Sequence, residues 1–158
     1  MSTLHILIAG FIATTAMTTF LYIIHYSRLT NADMLGAIGS FFTENMQSAR
    51  LLGGVIHYTT GCALAFLYFG VWSYLNINKL MPGIGLFTGF AQGLVVSLSL
   101  VVLVAEHHPK RSFRKVGFGV AIAHLLAHVV YGGFLEVHSR YLESSQQLLS
   151  SIGKALYG

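Results

Sequence analysis

Charge is what this chain most lacks. Only 9% of its 158 residues are Asp, Glu, Lys or Arg, and 54% are hydrophobic, whereas soluble domains carry roughly 25% charged residues. No water-facing surface can be assembled from that composition. A soluble globular domain is excluded, which leaves an integral membrane protein, read as a single domain over residues 1–158. Cysteine is almost missing too: Cys62 stands alone, so an internal disulfide and a cysteine-based metal knuckle are excluded. Among catalytic motifs there is no Gly-x-Ser-x-Gly, no His-Glu-x-x-His and no pair of aspartates. Nothing in the sequence requires an enzyme. The net charge of +4 would suggest nucleic acid in a soluble protein. Here the basic residues lie between apolar spans, so membrane topology accounts for them and nucleic acid is not an expected partner.

What the chain does have is long apolar runs. About 20 such residues cross a bilayer as a helix, and four runs qualify, at about residues 4–24, 51–75, 83–105 and 116–138. The pattern predicts an all-α fold, an integral membrane four-helix bundle built from two antiparallel hairpins. No basic residue precedes the first run, and it exceeds the length of a signal-peptide core, so it reads as a retained span. Gly10, Thr14, Thr18 and Leu21 share one face of it, small and hydroxyl side chains that suit close helix contact. In the first loop, Met34, Leu35, Ile38, Phe41 and Phe42 follow helical spacing after a candidate N-cap at Asn31, which predicts a short amphipathic helix in the membrane interface. Tyr68, Trp72 and Tyr74 fit an aromatic belt at the far end of the second span. The short turn Asn76–Pro82 predicts that spans two and three form a hairpin.

Gly85, Gly89 and Gly93 form a small-xxx-small ladder in span three. It is the expected docking face toward other membrane subunits or a second copy of the chain, with Gln92 as its polar neighbour. The tail from Ser139 is expected to be partly helical or frayed. Arg28, Arg50, Lys110, Arg111, Arg114 and Lys115 fall on one side of the bilayer, and Lys79, Arg140 and Lys154 on the other. The positive-inside rule then puts both long loops in the cytoplasm and both termini outside.

The two halves share a weak repeat. IHYTTG at 56–61 falls where AHLLAH falls at 123–128, matching His57 to His124 and Gly61 to His128, as in proteins whose sites lie at a repeat interface. The segments AGFIATTAMT, GGVIHYTTGCALAFLY and HLLAHVVYG resemble small four-helix bacterial inner-membrane proteins of unknown function, the YagU-like type. That resemblance covers most of the chain. It implies a fold and a place in the bacterial plasma membrane, and it supplies no substrate.

Eight histidines in so apolar a chain are the unusual feature, because ionisable groups inside a membrane tend to be functional. His124 and His128 sit one helical turn apart on one face. His57 lies at a similar depth in span two, and His25, Glu106 and His107 form a candidate rim at the same end. Three functional readings stay open. The first is a transition-metal site for Zn, Cu or Fe built from His57, His124 and His128 with His25, Glu106 and His107. The second is b-type haem held by His57 and one of the span-four pair, with Gly54 and Gly61 making room for the ring. The third is a proton or cation path along the same histidines. Beside them stands a structural reading, in which the rings bond Thr, Tyr or backbone on neighbouring helices. His107 and His108 read as a solvated loop pair. The histidine element of membrane di-iron oxygenases, HxxHH, is missing. The expected function is a binding or accessory subunit of a larger membrane complex, with a small oligomeric cation or proton carrier as the alternative.

Overall fold

The computed structural model describes residues 2–30, 33–77, 81–115 and 117–157. Asn31, the expected helix cap, Lys79 and Val116, the expected start of the fourth span, lie outside them. Among the described residues every regular element is helical. Four helices are long and apolar enough to cross a membrane: α1 (Thr3–Tyr26), α3 (Met46–Tyr74), α4 (Ile84–His107) and α6 (Phe118–Tyr157). Two short helices, α2 (Met34–Gly39) and α5 (Arg111–Arg114), lie in the long connections. Both connections are at one end of the bundle, here called the loop end.

The packing order follows from where the small residues are. On α1, Ala9, Gly10, Ala13, Thr14, Met17, Thr18 and Leu21 are buried, as the helical spacing requires. Thr14 and Thr18 return their hydroxyl protons to Gly10 O and Thr14 O, each at 2.7 Å, so the helix buries them without orphaned donors. A Cβ on Gly10 would come within 2.9 Å of Cys62 Cα, which shows how closely α1 and α3 approach. The glycine ladder of α4 is consumed inside the chain rather than left for a partner. Gly85, Gly89 and Gly93 pack on Gly132, His128 and Leu125 of α6, and Ser97 donates to Ala121 O at 2.8 Å across the same seam.

Thus α3 packs on α1, α1 on α6, and α6 on α4. The helices joined by the short turn, α3 and α4, stand apart along their backbones among the described residues and meet through side chains, Tyr68 on Gln92. A short connection limits separation at one end only, and the α4 glycines are aimed at α6.

Three other expectations change. Trp72 and Tyr68 are core residues, 0% and 6% exposed, rather than an interfacial belt; only Tyr74, 85% exposed, fits the belt. With Phe69 and Tyr131 they form a chain of edge-to-face rings. Helix α6 runs unbroken for 40 residues, about 60 Å at 1.5 Å per residue, so the tail is a continuation of the fourth span. Met46–Arg50 likewise extends α3 beyond the expected start, with Asn45 capping Gln47 N and Ser48 N.

The short helix exists, and it is docked on α3. Its cap is Asp33, whose Oδ1 accepts from Gly36 N at 3.0 Å. Asp33 Oδ2 accepts from Arg50 Nε and Nη2 at 3.0 and 2.9 Å. Gly39 and Gly53 let the backbones touch: a Cβ on Gly39 would lie 1.7 Å from Ala49 O, and one on Gly53 2.0 Å from Leu35 O. Phe41 and Phe42 follow the helix instead of belonging to it. Asp33→Ala removes a cap and a half-exposed ion pair, together worth about 1–2 kcal/mol. Amide hydrogen exchange across residues 34–40 should accelerate at least about fivefold on that basis, with α1 exchange unchanged. Equal acceleration in both segments would instead indicate global loosening.

Candidate functional site

The gap between α3 and α4 is a cavity of about 500 Å³, within the size range of small-molecule sites. Most of its wall is apolar, from Met17, Leu64, Val96, Leu100 and Val104. Leu100–Val104 is a π-helical segment of α4, a departure from α-geometry that often occurs at functional sites. The aromatic core around Tyr68, Trp72 and Tyr131 lies farther from the loop end. Tyr131 contributes to the wall and donates to Gly61 O at 2.6 Å.

Three of the histidines singled out in the sequence meet here. His57, His124 and His128 are 8%, 5% and 8% exposed, and all three line the cavity. Their hydrogen bonds define what each ring presents. Thr18 Oγ1 gives its proton to Thr14 O, so it can only receive from His57 Nε2, 3.1 Å away. His124 Nδ1 lies 2.8 Å from Val120 O, an acceptor, so Nδ1 carries the proton. In the neutral rings this leaves His57 Nδ1 and His124 Nε2 as acceptors. His128 Nδ1 is buried without a hydrogen-bond partner. Across the cavity, Gln92 Oε1 accepts the Tyr68 hydroxyl proton, which leaves the Gln92 amide N–H groups to donate. Gln92 was noticed in the sequence only as a neighbour of the glycine ladder. A lone amide in an apolar span was the signal for it.

The other three members of the expected ligand set are elsewhere. His25 lies in a separate depression with Tyr26, Arg28 and Thr30, and Glu106 and His107 are exposed on the end of α4. None of the three lines the cavity. Among the described residues no group of three or more His, Cys, Asp and Glu side chains is placed to hold a metal ion. The haem reading asks for an Nε2 from the second span, and His57 commits that atom to Thr18.

His108, grouped with the solvated loop, is instead 0% exposed. Lys110 N donates to its Nδ1 at 3.0 Å, so its Nε2–H donates to Ala37 O of α2, also at 3.0 Å. Phe41 and Phe113 pack edge-on to the ring at 4.4 and 4.9 Å between centroids. Lys110 Nζ reaches Glu44 O at 2.6 Å. The two connections are therefore stitched into one cover over the loop end of the cavity. No local pattern distinguishes His108 from His107; only the fold of the loop does.

Among known protein families, one described as a family of unknown function, DUF6789, has a model that matches residues 2–150. No curated protein matches the chain, and no solved structure does.

Proposed function

We propose that this chain, which belongs to the DUF6789 family of unknown function, is a multi-pass membrane protein that holds a small molecule between its second and third spans. The supporting observation is the cavity of about 500 Å³ with His57, His124 and His128 on its wall. We read it as a binding or accessory subunit of a larger assembly in the bacterial inner membrane, in keeping with its likeness to the YagU-like proteins. On that reading the covered loop end faces the cytoplasm, on the side of the six basic residues. The mostly apolar wall, from Met17, Leu64, Val96, Leu100 and Val104, favours holding a small molecule over conducting an ion.

The test is direct. Full-length protein purified in mild detergent is extracted and analysed by mass spectrometry, absorption spectroscopy and metal analysis. One small molecule or cofactor in near-stoichiometric amount is expected, and it should be lost together from the His57→Phe and His124→Phe variants, whose larger apolar rings fill the cavity. A preparation with no bound molecule, no Soret band and no metal, and no uptake from membrane extract, would end the proposal.

A further inference from the structure

The hydrogen-bonding wall of the cavity narrows the class of occupant. Three imidazoles line it, from α3 and α6. In the neutral tautomers set by Thr18 and Val120, His57 and His124 each keep one acceptor nitrogen, and His128 Nδ1 is buried without a partner. Gln92 of α4, its oxygen taken by Tyr68, adds an amide donor. The charged lining residues, Asp33 and Lys115, are opposite in sign and belong to the connections at the loop end, so the deep wall offers nothing for a phosphate or carboxylate head. A ligand that satisfies this wall needs hydroxyl donors for imidazoles on two helices and at least one oxygen that accepts from Gln92. Its remainder must be apolar, to lie against Leu64, Val96 and Leu100. Buried polar groups left unmatched carry a desolvation cost, which disfavours neutral lipids with a single hydroxyl. The side of the cavity between α3 and α4, where the two backbones stand apart, is where we place the apolar chain.

We propose that the cavity binds an isoprenoid quinol, the ring seated against His57, Gln92 and His124 and the chain leaving between α3 and α4. The quinol hydroxyls donate to the two imidazoles, and a ring oxygen accepts from Gln92. This assignment rests on the small-molecule reading above and adds the chemical class.

The probe is a decyl-substituted benzoquinol, kept reduced under argon and titrated into full-length protein in phosphatidylcholine nanodiscs, with the oxidised benzoquinone as the comparison. Binding is read by quenching of Trp72, the chain's one tryptophan, which stacks edge-on against Tyr68, the residue that orients Gln92. Saturable binding of one quinol per chain is expected, tighter than that of the oxidised form, which has no hydroxyl to donate. His124→Ala and Gln92→Met should each weaken it about three- to tenfold, the loss of one hydrogen bond. His25→Ala, outside the cavity, should leave it unchanged. Gln92→Met keeps the side-chain volume, so it reads the hydrogen bond even where His124→Ala melts early.

Three results overturn the assignment. One is quenching that does not saturate in folded protein. Another is equal affinity in wild type and the double variant His57→Ala/His124→Ala. The third is stoichiometric Zn(II) that displaces the quinol, which would return the imidazoles to a metal. If another small molecule copurifies while quinol fails, the quinol class falls and the binding reading stands. If nothing is bound or taken up, both fall.

Discussion

Gly132→Ala is expected to lower stability by about 3 kcal/mol or more, the upper end for overpacking, and to leave little monodisperse protein. The reason is backbone against backbone. A Cβ on Gly132 would lie 2.0 Å from Gly85 O, and one on Gly85 would lie 2.1 Å from Gly132 O. No rotamer change relieves either clash, because the obstructing atoms are main chain. Gly89→Ala should behave alike, its Cβ falling 2.3 Å from His128 O. Separating α4 from α6 also moves Gln92 away from His124, so ligand binding should fail with stability. The contrast lies in the same chain: Gly70 and Gly153 have nothing within 4 Å of an added Cβ. Both are within helices, where alanine is favoured over glycine by roughly 0.8–1 kcal/mol. Gly70→Ala and Gly153→Ala should therefore melt at or slightly above wild type. Thermal unfolding in nanodiscs measures all four, and a wild-type midpoint for Gly132→Ala would refute the α4–α6 seam.

Glu136→Gln should cost about 3 kcal/mol, since hydrogen bonds to a charged group contribute roughly 1.5–3 kcal/mol each and two are lost or weakened. Helix α4 begins at Gly83, which has no side chain to cap it and sits at φ +85°. Its first N–H groups need an acceptor from elsewhere. Glu136 of α6 supplies it: Oε1 accepts from Gly83 N at 2.9 Å and Oε2 from Gly85 N at 2.8 Å. The negative charge also complements the helix N-terminus, and Arg140 Nη2 pairs with Oε1 at 2.7 Å. Glutamine has one acceptor oxygen, so its amide nitrogen would face a backbone donor. The loss should appear as a lower unfolding midpoint together with faster amide exchange at residues 83–86. Glu136→Asp, which keeps the charge but shortens the reach, should recover part of it. An unchanged midpoint in Glu136→Gln would mean that solvent or headgroups cap α4 instead.

The inward turn of the span histidines was readable because burying an imidazole in lipid is costly and because i, i+4 spacing puts His124 and His128 on one face. His57 joined them through depth alone, counted along its helix. His25, Glu106 and His107 were grouped with them by the same counting, and there it failed. Depth says nothing about rotation around a helix axis, and these residues sit at helix ends outside the cavity wall. The ladder Gly85–Gly89–Gly93 announced a close contact without saying with which helix. A second copy and α6 offer the same kind of surface, and only the matching Gly132 on α6 settles it.

Composition and periodicity alone determined that this chain is an all-helical protein with four spans long enough to cross a bilayer. Those properties depend on how much apolar surface each segment carries, which is written locally. Tertiary structure decided which faces meet. It took the glycines of α4 to α6, left α3 and α4 apart with a cavity between them, brought Glu136 to the start of α4 and folded His108 into the cover. Each of these is a pairing of residues distant in sequence, chosen by how closely two backbones can approach and by which buried polar group finds a partner, and neither is visible in a single segment.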